Sequence, residues 1–564
     1  MRHARDIKLE EETIMKKFVS LLLILALMLS AQGMMAIAEE ESAAEEPMVI
    51  SWLGANAPLT DDTWGEQAFE EMFGVDVQIV RAGSDEEQTV LFASGEVPDF
   101  ILAGSVSRLA DLVDQGIVRP VTLEMIEENM PGYYAMCTSY DPGFFDKGIV
   151  DNEIYAVPRY NATGEAAIGA AIRSDWLENL GLAVPTTLEE LEAVFYAFAQ
   201  DDPDGNGQDD TYALSAGGES GAMGRYMFQS IFGIFGVNPL FWTENEEGEL
   251  EYGFTTDEVK EALKLLSKWY ADGLIDPEFI TTGARSSGTD VASKFASGQI
   301  GYIDCLSYDD YQWDNDGHMS AKWVANDETW QQFFADNAEN PTEMYKYGVT
   351  SDFDDSYVSK YYINLAPVAN SDGTPGGYVK EGNVNSYLCF GANTSDEKVA
   401  KILQILEQEA MDEDAYMLHF GPEGLQWLQE EDGTRSYNPN YTEEEDYHPQ
   451  GQILGYGWFL FPMYWSNPEF LTVISDARND QRYERTLPLF ASFNGVSDAL
   501  TVSLPSASEY SEITSTYITN NVYMAVRGDI DVDTQWDDIV AEWFAMGGDV
   551  LTQEANEWWD SVKG

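Results

Sequence analysis

The sequence predicts an α/β protein, a parallel sheet with covering helices, and three observations predict it. Short apolar runs alternate with helical periodicity from residue 49 onward, joined by short connections. The same alternation returns after residue 170, so more than one sheet is expected. Finally, 564 residues exceed what a single hydrophobic core organises, and no fixed-period repeat suggests a solenoid or propeller.

The elements follow in order. Residues 49–53 form an apolar strand ending at Gly54, and a loop over 55–62 leads into a helix with Trp64, Ala68, Phe69 and Met72 on one face. Residues 75–80 give the second strand, 86–94 a helix and 99–102 a third strand. Later, 171–173 end a strand, Ser174 opens a helix that Gly181 stops, and Glu189 and Glu190 favour the first turn of a helix over 188–199. The stripe Val259, Ala262, Leu263, Leu266, Trp269 and Tyr270 predicts a long amphipathic helix over 255–273, and 397–407 reads similarly.

Residues 1–38 are read as leader rather than fold. Lys16 and Lys17 precede an apolar stretch over 18–29, and Ala36-Ile37-Ala38 offers a small-residue cleavage site. An acidic spacer over 39–47 follows. The apolar stretch is too short for a permanent anchor, so export is expected. Cys137, Cys305 and Cys389 are too few for a disulfide framework, and Cys389 lies in an apolar run that suits a buried small hydrophobe.

With 100 acidic against 29 basic residues the net charge is −71, which argues against nucleic acid or an anionic membrane surface as partner. Such charge keeps a protein soluble and monomeric.

The stretch 202–210, DPDGNGQDD, places oxygens of Asp202, Asp204, Asn206 and Asp210 at positions 1, 3, 5 and 9 of a calcium loop. Gly207 supplies the turn at position 6, and Gln208 offers its carbonyl at position 7. Position 12 is Ala213, so the usual bidentate Glu is missing. The same composition also suits an acidic surface turn without metal. Calcium, as a structural ion, is the expectation.

Several phrases occur in an order that resembles the family 1 extracellular solute-binding proteins of bacterial ABC importers, in their long oligosaccharide- or lipoprotein-type branch. They are LFASGEVPD (91–99), GIVDNEIYAVP (148–158), IRSDWLENLGL (172–182), the loop 202–210, GLIDPEF (273–279), FASGQIG (295–301), FGPEG (420–424) and GGD (547–549). Each alone is weak; together they cover nearly all of the chain after the leader. The resemblance implies a two-lobed periplasmic-binding-protein fold, a clamshell of two α/β lobes joined by crossover segments near Pro158, Phe295 and Tyr387. It divides the chain into a first lobe over 48–157 and 300–384, a second over 158–299 and 385–500, and a C-terminal helical segment over 501–564. It further implies capture of an oligosaccharide or related solute, delivery to the permease subunits of an ABC transporter, and a place outside the cell membrane or in the periplasm. Single-membrane relatives carry a lipid-bearing Cys at the cleavage point; residues 30–33 contain none, so a lipid tether is not expected.

Sugar rings present apolar faces rimmed by hydroxyls, so aromatics with a few polar groups suit the cleft. The aromatic segment 456–465 offers Trp458, Tyr464 and Trp465, with Gly457 and Pro462 breaking regularity. Core packing is the competing role for most of these rings. Trp242 sits in a turn-rich stretch, and Trp52 and Asn56 flank the first strand-to-loop junction. Arg159 and Tyr160 follow the first implied crossover. Arg173 is a further contact candidate, unless Asp175 pairs with it locally.

Enzyme motifs are missing: no HExxH, GxSxG or P-loop occurs. His318, His419 and His448 lack metal-ligand spacing, and the ladder Gly218, Gly221, Gly224 stands alone. An exported polysaccharide hydrolase, or a sensor or adhesion module on the same fold, remain the competing readings.

Overall fold

In the computed structural model the described residues are 47–54, 61–164, 166–218, 227–282, 291–296, 298–306, 363–380, 382–438, 454, 459–475, 487–507 and 509–563. The leader, most of the spacer, Asn56, Trp458, His318 and His448 lie outside them. By its contacts the chain forms a main unit, 50–73 with 77–564, and a small unit of 1–49 with 74–76, of which only extended strand residues and Gly74 are described.

The first sheet grows from strand–helix alternation. Strand β1 (Met48–Gly54) is followed by helix α1 (Trp64–Phe73), β2 (Val75–Arg81), α2 (Asp85–Ala93) and β3 (Phe100–Ala103). Ser84 begins α2 with a capping box closed by Glu87, and Ser105 caps α3 (Val106–Asp114) through the Arg108 amide. Helices α4 (Leu123–Asn129) and α5 (Pro131–Tyr140) precede β4 (Ala156–Tyr160). The Asp99 carboxylate accepts from the Ser51 amide at 2.9 Å and from the Lys398 ammonium at 2.7 Å, which joins β1 to a helix some 300 residues later; burial would raise its pKa, and these donors hold it below the ordinary value.

The second sheet starts at β5 (Ala167–Ile172), with α6 (Ser174–Leu180), α7 (Leu188–Gln200) and β6 (Tyr212–Leu214). Helix α8 (Gln229–Ile234) and the long α9 (Asp257–Ala271) follow. Thr256 caps α9, and Val259, Ala262, Leu263, Leu266 and Trp269 are buried as the periodicity predicts. Then come β7 (Ile300–Leu306), β8 (Ile363–Leu365), β9 (Tyr378–Lys380) and β10 (Val384–Phe390). The chain continues through α10 (Asp396–Met411), β11 (Gly495–Val496), α11 (Thr516–Arg527), α12 (Val532–Trp543) and α13 (Asp549–Lys563).

Strand order in the first sheet is β2-β1-β3-β10-β4, and in the second β11-β9-β5-β7-β6, with β8 also on β5. Sheet membership corrects the expected division. β7, β8 and β9, placed by the sequence with the first lobe, pair with β5 of the second sheet: Tyr302 faces Ile172 and Val379 faces Ile168. β10, placed with the second lobe, inserts antiparallel between β3 and β4, with Leu388 opposite both Leu102 and Val157. The physical reason is that β4–β5 and β9–β10 cross between the sheets side by side. The crossings therefore lie between β4 and β5 and between β9 and β10. Phe295 is instead fully buried in the helix Val291–Ala296.

Each sheet carries its own core. Trp176, Phe195, Phe198, Trp269, Trp536 and Trp543 anchor the second. The C-terminal helices belong to it: Tyr252 stacks on Trp543 at 5.4 Å, and the Trp543 indole donates to the Ile513 carbonyl. The 547–549 phrase is a kink, with Gly547 at φ +124° and the Tyr510 ring where a Cβ would stand. No described helix is long and apolar enough to cross a membrane.

Candidate functional site

The two crossings are joined backbone to backbone. Asn161 donates to the Asn383 carbonyl at 2.9 Å, and Gly382 to that of Gly164 at 3.2 Å. Lys147 reaches both Asp141 (2.8 Å) and the Asn383 side chain (2.5 Å).

Beside these crossings the structure gathers four of the expected contact residues. Arg159 and Tyr160 end β4, and Tyr464 and Trp465 lie on the loop against it. Arg159 donates through Nη2 to the Tyr464 carbonyl at 3.1 Å, and the Ala162 amide donates to that of Trp465 at 3.2 Å. Tyr464 lies flat on His419, ring centres 3.7 Å apart at 7°, and stacks on Trp465 at 4.7 Å. Both Tyr464 and Trp465 stay part-exposed, whereas His419 is buried. Tyr160 stacks on Tyr140, itself 58% exposed.

The floor of this group is polar. Burial brings the Arg159 guanidinium down to about 10, against the pull of Tyr133 and Glu409. Burial also holds the Glu409 carboxyl well above the carboxylate range, although the Met463 amide and Arg159 oppose this. His419 is pushed down to about 3 by burial and then by the charge of Arg159, so its imidazole is neutral at physiological pH. Sequence reasoning missed Glu409 and His419. A Glu on the buried stripe of α10 and a His between Leu418 and Phe420 were the available signals.

The other expected contacts lie elsewhere. Trp52 is fully buried, stacked on Phe100 at 3.9 Å, with its indole donating to the Phe459 carbonyl. Trp242 is 4% exposed and packs on Tyr252. Arg173 grips Asp175 bidentately and lies over Trp176, in the second lobe. The thiols of Cys137 and Cys389 are buried and pushed up to about 12 by desolvation, which leaves them inert.

In the 202–210 loop, carboxylates of Asp204 and Asp210 converge on the Asn206 amide nitrogen at 2.8 and 3.1 Å. The Gly207 amide donates to Asp202 at 3.0 Å. Burial, then Asp202 and Asp210, raise the Asp204 carboxyl above its ordinary range, against the Asn206 amide. Two acids held on one donor group with a third nearby is a charge arrangement a cation relieves. Among the described residues no set of three carboxylate, imidazole or thiol groups is drawn together as a formed metal centre. Ala213 is buried, as its place at position 12 without a donor requires.

Comparison with known proteins gives the family. The model of bacterial extracellular solute-binding proteins matches residues 55–373. Lipoprotein LipO of Bacillus subtilis is 29% identical over 218 residues, 38% of this chain and 41% of LipO. The fructooligosaccharide ABC transporter substrate-binding protein FusA of Streptococcus pneumoniae is 27% identical over 260 residues, 42% of this chain and 46% of FusA. The chain thus matches under half the length of these curated relatives. Solved structures extend the likeness of fold. FusA in complex with kestose superposes with TM-score 0.64 at 17% identity, over 91% of this chain and 99% of FusA. Another FusA structure is of an EF-hand mutant, TM-score 0.63 at 16% identity over 91% and 99%. An HMO-binding, ABC-transporter-associated solute-binding protein of Bifidobacterium longum infantis gives 0.66 at 18%, over 92% and 99%. These are two-lobed α/β binding proteins, and the fold here is theirs. A match over more than half of the sequence, on that fold, makes this chain a member of the bacterial extracellular solute-binding protein family.

Proposed function

We propose that the chain captures an oligosaccharide outside the cell and hands it to the permease subunits of an ABC importer, as a monomer and without chemistry on the sugar. The observation that carries this is the His419–Tyr464–Trp465 ring stack beside the paired crossings. A flat, part-exposed aromatic face next to a hinge suits the apolar face of a sugar ring, and closure of the lobes would complete the hydrogen bonds. The named ligands of FusA and of the Bifidobacterium protein point to the same solute class. Trp465 and Tyr464, both part-exposed, are the first contacts to test, with Trp458 and Asn56, outside the described residues, as further candidates; Tyr160, Trp52, Trp242 and Arg173 are buried against neighbouring side chains, which favours packing roles. The family consists of binding proteins rather than enzymes.

Asp202, Asp204, Asn206 and Asp210 would hold a structural Ca²⁺ with the Gln208 carbonyl. The convergence on Asn206 supports it, as does the existence of an EF-hand in FusA. Thr211 donates its hydroxyl to the Phe198 carbonyl, which ties the loop's exit to the end of α7.

Isothermal titration with 1-kestose, a milk tetrasaccharide and an N-glycan core tests the reading. Micromolar or tighter binding without turnover is expected. Glycan cleavage would support the hydrolase instead, and no binding to any glycan would remove the proposal.

A further inference from the structure

Trp465 is the residue whose backbone the surroundings must hold. Its φ is +60°, the left-handed region where a side chain crowds the following carbonyl. A non-glycine residue stays there only when its neighbours over-determine it. Here the neighbours come from two distant segments, the end of β4 with its exit and the 418–420 turn. Arg159 takes the Tyr464 carbonyl, Ala162 takes the Trp465 carbonyl, and His419 lies under Tyr464, which in turn carries the indole.

The geometry points to Arg159 and His419 as positioning residues: they fix the turn at Trp465 and so aim a preformed aromatic platform at the solute. This rests on the reading of the chain as an oligosaccharide binder. Arg159 is 8% exposed and His419 4%, so neither offers its polar atoms to a sugar; both act through the 464–465 backbone and rings. The polarity beneath the platform exceeds what packing needs. Among the described residues, Arg159 Nε, His419 Nδ1, Glu409 Oε1 and Ser466 Oγ are buried without a hydrogen-bond partner. An apolar floor would be cheaper, so a fold that keeps these groups keeps them for the geometry they impose. A ring held in place before binding loses little freedom on contact, which favours affinity.

The test uses the full chain labelled with 5-fluorotryptophan, the Trp465 ¹⁹F resonance being assigned through Trp465→Phe. Arg159→Met and His419→Ala should each shift that resonance and weaken 1-kestose binding about tenfold. Arg159→Lys keeps a donor and His419→Phe keeps a stacking ring, so both should return the resonance and restore affinity to within about threefold. A Trp465 resonance that stays put in the folded Arg159→Met and His419→Ala proteins overturns the inference. So does an equal shift in the conservative pair, which would mark a merely structural role. If Arg159→Met fails to fold, the two His419 variants decide. Should the wild type bind no glycan, the functional reading fails while the resonance still judges the positioning claim.

Discussion

Gly382 donates its backbone N–H to the Gly164 carbonyl at 3.2 Å, and the two strands of chain approach so closely that a Cβ on Gly164 would stand 1.7 Å from the Gly382 oxygen. The crossings between the sheets are therefore one paired ribbon.

Gly164→Ala cannot be absorbed by a side chain moving aside, because the obstacle is backbone. It should cost about 2–4 kcal/mol in urea unfolding and weaken ligand binding by separating the crossings. Gly382→Ala meets open space but a φ of +79°, so its cost should be nearer ~1 kcal/mol. Equal losses from the two would show that the clash relaxes.

Chelation should lower the melting temperature by a few degrees, since an ion at 100 times its dissociation constant adds about 2.7 kcal/mol. Asp204→Ala should reproduce that loss and make the melt indifferent to chelator. An unchanged melt in chelator, with no metal by elemental analysis, leaves an acidic turn held by Asn206 and the Gly207 amide.

Two tryptophans of the sequence reading, Trp52 and Trp465, should behave oppositely. Trp52→Ala removes a ring packed on Phe69 and Phe100 and should destabilise by about 3–5 kcal/mol. Trp465→Ala should spare most of the stability and cost glycan affinity instead. Calorimetry beside titration separates the two effects.

Asp498 accepts the amides of Trp242 and Leu500, yet its enclosure raises the carboxyl to about 7. A folded-state value above the unfolded one means the folded protein holds this proton longer. The associated stability is full below about pH 4 and lost as pH rises to about 7, by at most ~4 kcal/mol and less where solvent reaches the residue. Asp498→Asn keeps the acceptor and removes the charge. It should stabilise the protein at pH 8 and converge with the wild type near pH 4, read by thermal melts across pH.

Local order was legible in the sequence. The stripe on α9 and the acids opening α7 fixed those helices to within a few residues, because periodicity and capping act over short distances. Sheet membership was not legible. An apolar run such as β10 fits either sheet, and only the antiparallel insertion between β3 and β4 decides. The candidate site was half legible: Tyr464 and Trp465, which the structure brings together with Arg159, stood out as aromatics in a broken segment. Trp52 and Trp242 looked equivalent by composition, since a ring serves a core or a surface equally well. What the sequence hid was the floor. Glu409 and His419 are single polar residues in apolar surroundings, and their meeting with Arg159 depends on long-range packing.

The insertion of β10 also sets the order in which this protein comes to exist. The strand that bridges β3 to β4 is made of residues 384–390, so synthesis runs through about two-thirds of the chain before the first sheet has its middle. Until then β3 and β4 have an open edge each and no partner to share. Contacts this remote in sequence close slowly. The first sheet thus cannot be completed until late in translation, because its β3 and β4 halves are joined only when residues 384–390 arrive.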